Sequence, residues 1–212
     1  MQGPLIISRL YAIADAEILA VRGVALADFA GDLRAAGVGL VQYRDKNGSP
    51  QEILRAASIL REAMAGSGCK LILNDRADIA VLANFDGVHV GQGDLSPADA
   101  RRVVGPDRIV GVSTHTDEQV RIADQSCADY IAIGPVFATG TKLNSDPVVG
   151  LDGVRRARAL TTKPLVAIGG ITRDNARSVI DAGADSIALI SALFAANEST
   201  AQIARDFLAR LR

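Results

Sequence analysis

The chain has no tryptophan, only three tyrosines and five phenylalanines in 212 residues. With aromatics at 4% and hydrophobic residues at 49%, its core must be filled by alanine, valine, isoleucine and leucine. Cysteine is scarce as well. Cys69 and Cys127 stand far apart and form no metal or redox spacing, which excludes a disulfide scaffold and predicts a reduced, cytoplasmic setting. An excess of one charge is also missing, with 23 Lys+Arg against 24 Asp+Glu. That balance argues against nucleic acid or a membrane surface as a bulk partner, while leaving local positive pockets open. No apolar run reaches the length of a transmembrane helix. Met1 to Ala20 has no basic segment leading into a long apolar one, so no signal peptide is expected.

What the chain does have is a repeated alternation of short apolar runs and helical stretches. The runs are Leu10 to Ala14, Leu40 to Tyr43, Lys70 to Leu73, Gly87 to Val90, Ile109 to Val112, Tyr130 to Ile133, Pro164 to Ile168 and Ser186 to Ile190. Helical stretches separate them, beginning with one from about Ala25 to Ala36. Ser49-Pro50 and Ser96-Pro97 read as helix starts, with serine as N-cap and proline in the first turn. Thr172 reads as the cap of the helix that follows the seventh strand. Ala128-Asp129-Tyr130-Ile131-Ala132-Ile133 is echoed by Ala184-Asp185-Ser186-Ile187-Ala188-Leu189, two units later. Eight strand–helix units of about 26 residues each predict an α/β protein, a single (β/α)8 TIM barrel over residues 1–212. The competing architecture, an open doubly wound sheet, would call for a nucleotide fingerprint that this sequence lacks.

In such a barrel the C-terminal strand ends share one mouth, so the chemistry should come from the residues just beyond each strand. Arg44, Lys46, Asn74, Asp75, Gln92, Asp94 and Ser113 stand there. So do Thr139, Gly140, Thr141 and Lys142, after Gly134-Pro135 ends the sixth strand. Two hydroxyls, a glycine and an ammonium form a receptor for phosphate oxygens, or an ordinary polar loop. Asp75 and Asp94 follow neighbouring strands and suit Mg²⁺, which takes one or two carboxylates with phosphate oxygens and water. Each alone reads better as a helix cap or solvated loop residue, and it is the pair that points to a metal. Arg44, Lys46 and Lys142 would then grip a polyphosphate from the other side.

Gly169-Gly170 offers bare backbone N–H groups at an expected helix start, with Ile190-Ser191 completing that corner. The alternative there is a packing or turn glycine. His89, inside a strand, reads as a buried hydrogen-bonded residue or a ligand. His115 reads as a mouth residue, a general base or loop. Two phosphate sites, one of them metal-assisted, fit a transferase that joins a pyrophosphate ester to a phosphorylated acceptor.

These segments together resemble thiamine-phosphate synthases. The resemblance runs from Leu10 to Leu193. It is carried by Gln42-Tyr43-Arg44-Asp45-Lys46, Asn74-Asp75-Arg76, Asp86 to Gln92 with Asp94, and Gly111-Val112-Ser113. Gly134 to Phe137 with Thr139, Thr141 and Lys142, Ile168 to Ile171, and Ile190-Ser191 complete it. It implies condensation of 4-amino-2-methyl-5-hydroxymethylpyrimidine pyrophosphate with 4-methyl-5-(2-hydroxyethyl)thiazole phosphate, giving thiamine phosphate and pyrophosphate. It further implies that Gln42, Arg44, Lys46, Asn74, Ser113 and Lys142 hold the pyrimidine pyrophosphate and that Asp75 and Asp94 hold Mg²⁺. Thr139, Thr141, Gly170, Ile190 and Ser191 would receive the thiazole phosphate. The implied partners are small molecules, and a homo-oligomer is compatible with the sequence. Cys127 and Ser186 stand where the family often has glycine, and Ala138 where it often has proline. These departures are expected to touch turns and loop stiffness only. A thiazole tautomerase and a non-catalytic sensor of phosphorylated metabolites are the rival readings.

Overall fold

The computed structural model describes residues 7–139 and 147–212. The eight strands close into a parallel barrel in chain order, with the first strand paired to both the second and the eighth. They are β1 (Leu10–Asp15), β2 (Leu40–Arg44), β3 (Lys70–Asn74), β4 (Gly87–Val90), β5 (Ile109–Thr114), β6 (Tyr130–Ile133), β7 (Leu165–Ile168) and β8 (Ser186–Leu189). Around them run α1 (Ala16–Arg22), α2 (Leu26–Ala36), α3 (Pro50–Ala63), α4 (Ala77–Leu82), α5 (Pro97–Val104) and α6 (Asp117–Gln125). The ring is completed by α7 (Gly150–Leu160), α8 (Ala176–Asp181), a 3₁₀ turn (Ser191–Leu193) and α9 (Thr200–Arg210). No helix among the described residues is long and apolar enough to cross a membrane.

Period two divides each strand between two cores. On β1, Leu10, Ala12 and Ala14 face outward and pack with Phe29, Leu33 and Phe207 of the helices. Tyr11 and Ile13 face inward, where they meet Leu40, Ile72, Tyr130, Val166 and Ala188. The same alternation sends Val41 and Tyr43 of β2 into the outer core, while Gln42 and Arg44 line the interior at the mouth.

Local chemistry explains the helix starts. The Ser49 hydroxyl accepts from the Glu52 N–H, and Glu52 accepts from the Ser49 N–H in return, closing a capping box. Ser96 caps α5 ahead of Pro97 in the expected way. Two readings change. Helix α1 fills a stretch expected to be loop: the Asp15 carboxylate caps it through the Ile18 N–H, and left-handed Gly23 ends it. Thr172 caps nothing. Its N–H donates to the Asn175 side chain, and α8 starts only at Ala176. Gly169-Gly170 therefore precedes a turn, not a helix start.

Candidate active site

Of the phosphate loop expected after β6, Thr139 is described, whereas Gly140, Thr141 and Lys142 lie outside the described residues. Several of the other strand-end residues line two cavities at the mouth, whereas Lys46, Asp75, Gln92 and Asp94 line neither. One cavity is lined by Gln42, Arg44, Asn74, His89 and Ser113. A second is lined by His115, Thr139, Gly169, Gly170, Ile190 and Ser191. Ser113, Ala132, Ile168, Ala188 and Ile190 border both. Two compartments thus meet along one wall, as two reacting molecules require.

Arg44, which lines the first compartment, and Lys46 each have an anionic neighbour. The Arg44 guanidinium donates to Asp15, whose side chain is only 3% exposed. The Lys46 ammonium donates to Asp75. Asp75 stands in turn beside Asp94, which accepts from the Gly91 N–H at 2.8 Å. Burial pushes the Asp75 carboxyl above the usual range, and the Asp94 charge adds to this against the pull of Lys46. Burial acts on Asp94 in the same sense, but the Asp75 carboxyl, the Gly91 N–H and Lys46 outweigh it and hold Asp94 low. The two neighbouring carboxyls are thus shifted in opposite directions. Asp75 sits at φ 62°, a left-handed conformation uncommon outside glycine and characteristic of residues held for a purpose. Next to it, the Asn74 amide nitrogen is buried without a hydrogen-bond partner. An orphaned donor costs about 1–3 kcal/mol, and a ligand in the cavity would satisfy it.

Beneath this compartment runs a line of polar groups. The Gln42 amide nitrogen donates to the Tyr11 hydroxyl at 2.8 Å, which lies 3.0 Å from the Tyr130 hydroxyl. That oxygen is 2.9 Å from His89 Nδ1, and His89 Nε2 is 2.8 Å from the Ser113 hydroxyl. Gly111 makes the line possible. It sits between His89 and Tyr130 in the sheet register, and a Cβ there would lie 2.0 Å from the Tyr130 ring. His89 is thus buried and hydrogen-bonded, and it also lines the first cavity.

In the second compartment Gly169 and Gly170 have φ values of 102° and 64°. A Cβ on Gly170 would meet the Ala138 carbonyl oxygen at 2.5 Å. The backbone of the β6 loop is laced to this corner through Val136 N–H to Ile168 O and Phe137 N–H to Gly169 O. His115 is tied in as well, its Nδ1 2.6 Å from the Gly134 carbonyl oxygen. Gln92 reaches across the wall to donate to the Ser113 carbonyl at 2.6 Å.

Sequence reasoning overlooked Asp15, Tyr11 and Tyr130. Asp15 reads as a strand terminus, and its link to Arg44 needs the β1–β2 register. The tyrosines read as apolar strand residues, although two of only three in the chain pointing into a barrel was an available signal. Ser186 begins β8 as its apolar run predicts, so its difference from the family pattern falls in a strand and not in a turn, and it is fully buried with a partnerless hydroxyl.

Residues 10–193 match the family model described as thiamine monophosphate synthase. A thiamine-phosphate synthase of Koribacter versatilis is 57% identical over 195 residues, covering 91% of this chain and 92% of that protein. One from Chloroflexus aurantiacus is 42% identical, covering 91% and 88%. Among solved structures, thiamine phosphate pyrophosphorylase from Pyrococcus furiosus superposes with a TM-score of 0.85 at 30% identity, covering 96% of this chain and 95% of that one.

Proposed function

The chain belongs to the thiamine monophosphate synthase family and is a transferase that makes thiamine phosphate, and we propose how its barrel mouth divides the work. The observation that carries this reading is the pair of compartments meeting along the wall formed by Ser113, Ala132, Ile168, Ala188 and Ile190. The first takes the aminopyrimidine, with Gln42, Asn74 and Ser113 on the ring and Arg44 and Lys46 on the pyrophosphate. The second takes the thiazole phosphate through Thr139, Gly170, Ile190 and Ser191. Thr141 and Lys142 are assigned to these ligands by sequence resemblance alone.

Asp75 and Asp94 would hold Mg²⁺. The fit rests on the donor set: two neighbouring carboxylates beside the Lys46 ammonium, with no third carboxylate, imidazole or thiol gathered among the described residues. That is too few ligands for a closed protein cage and suits an ion that keeps water and substrate phosphates. When bound, Mg²⁺ supplies positive charge against the pyrophosphate oxygens.

The pyrimidine methylene–oxygen bond breaks with both electrons leaving on pyrophosphate, and the thiazole nitrogen lone pair forms the new carbon–nitrogen bond. Arg44 and Lys46 stabilise charge on the leaving group. The shared wall holds the two rings in line and keeps water from the pyrimidine cation. No side chain is needed as a nucleophile. The two cysteines are unpaired, which supports a reducing, cytoplasmic setting. Incubation with both substrates and Mg²⁺ tests the reading. Thiamine phosphate and pyrophosphate should appear together, whereas an isomerised thiazole phosphate with no new carbon–nitrogen bond would point to a tautomerase.

A further inference from the structure

The line from Gln42 to Ser113 has a direction. The Gln42 amide donates to Tyr11, so the Tyr11 hydroxyl has its own proton left to give. Tyr11 is 1% exposed, and its remaining partner is Tyr130. Tyr130, fully buried, then passes its proton to His89 Nδ1. A neutral imidazole that accepts at Nδ1 carries its hydrogen on Nε2, which donates to the Ser113 oxygen. The Ser113 proton is left to point into the cavity. In this arrangement each proton is used once and each buried oxygen is satisfied. Reversing any single link orphans a buried hydroxyl, at about 1–3 kcal/mol. Only turning the Gln42 amide over reverses the whole line together.

We infer that Tyr11, Tyr130 and His89 are positioning residues that transmit one hydrogen-bond direction from Gln42 to Ser113, so that the cavity presents an acceptor at Gln42 and a donor at Ser113. Such a pair recognises a ring edge that donates at one point and accepts at the next. An aminopyrimidine edge does this; its oxo counterpart carries the reverse set and meets like against like. This specificity rests on the reading that the first compartment takes the pyrimidine. The direction itself does not.

The experiment reads the imidazole tautomer by long-range ¹H–¹⁵N correlation in the protein without substrates. The chain has two histidines, His89 and His115, so a His115→Gln sample assigns the spectrum. His89 is expected as the Nε2–H tautomer. Gln42→Glu places a carboxylate that can only accept from Tyr11, and should convert His89 to the Nδ1–H tautomer from two phenols away. Tyr130→Phe cuts the line and should leave a mixture of tautomers. An Nδ1–H or doubly protonated His89 in the unaltered protein would overturn the inference. So would a tautomer indifferent to both substitutions, since a merely structural tyrosine would leave it unchanged. In turnover, Tyr130→Phe should raise KM for the pyrimidine pyrophosphate roughly tenfold, the scale of one hydrogen bond, with KM for thiazole phosphate steady. If the tautomers behave as expected but the loss falls on thiazole phosphate, the line stands and the assignment of its cavity falls.

Discussion

The carboxyl of Asp75 stands beside that of Asp94 at the ends of β3 and β4. Neighbouring carboxylates repel unless a proton or a cation lies between them. The strained backbone of Asp75 fixes one partner, and the Gly91 N–H orients the other. A divalent ion between the two carboxylates would remove that repulsion.

Chelation with EDTA should accordingly abolish synthesis, and Mg²⁺ should restore it. Asp75→Asn and Asp94→Asn should each reduce kcat by roughly 10²-fold or more, the scale of losing one group that stabilises transition-state charge. Far-UV circular dichroism should be unchanged. Full activity in excess chelator would remove the metal from the mechanism.

The two compartments should separate by substitution. Ser191→Ala touches only the second cavity and should raise KM for thiazole phosphate. Arg44→Ala touches only the first and should impair use of the pyrimidine pyrophosphate. Gly170→Ala is a poor probe here, because its Cβ would strike the Ala138 carbonyl and move the loop. Equal effects of Ser191→Ala and Arg44→Ala on both substrates would contradict the divided mouth.

Asp15 offers a test of what holds Arg44 in place. Asp15→Ala removes both the ion-pair partner of Arg44 and the cap of α1. Asp15→Asn keeps a capping oxygen but removes the charge. Breaking a buried pair costs about 3–5 kcal/mol, and a lost cap about 1 kcal/mol. Chemical denaturation should therefore rank the wild type above Asp15→Asn, and Asp15→Asn above Asp15→Ala. Pyrophosphate use should suffer in both variants.

Strand positions were legible because alternation writes them into the chain. Gly87 to Val90 and Tyr130 to Ile133 begin and end where the apolar runs do, and the serine–proline pairs mark α3 and α5. Helix α1 escaped because seven residues are too few to show a period, even with Asp15 and Gly23 in place. The strand-end rule pointed to Arg44, Asn74 and Ser113, which line one mouth cavity. It could not show that Arg44 rests on Asp15, nor that two tyrosines carry a line across the floor. Those facts depend on register between strands, which no single stretch of sequence encodes.

Cys69 gives the pH dependence a definite sign. Burial, with the Asp86 carboxylate beside it, pushes its thiol up to about 12. The folded chain therefore keeps a proton that the unfolded chain gives up near the ordinary thiol value. That contribution to stability is complete below the unfolded value and is lost as pH rises toward 12. At pH 8 an alkylating reagent should label exposed Cys127 and spare Cys69. Between pH 8 and pH 10 the urea midpoint should fall more in the wild type than in Cys69→Ala. Equal falls would assign the alkaline loss to other groups.

Ser186 should be a stability reserve. It faces the barrel interior on the same side of β8 as Ala188, paired with Val166 in the register, and its hydroxyl is buried without a partner. An unpartnered buried hydroxyl costs about 1–3 kcal/mol, while the methyl of alanine fits the same space. Ser186→Ala should therefore raise stability by about 1 kcal/mol, or roughly 2–4 °C in Tm for a chain of this size. The residue lines neither mouth compartment, so kcat and both KM values should hold. Calorimetry on the pair of proteins decides it. A lower Tm in Ser186→Ala would mean that the hydroxyl has a partner, a buried water being the simplest, and that the strand was built around it.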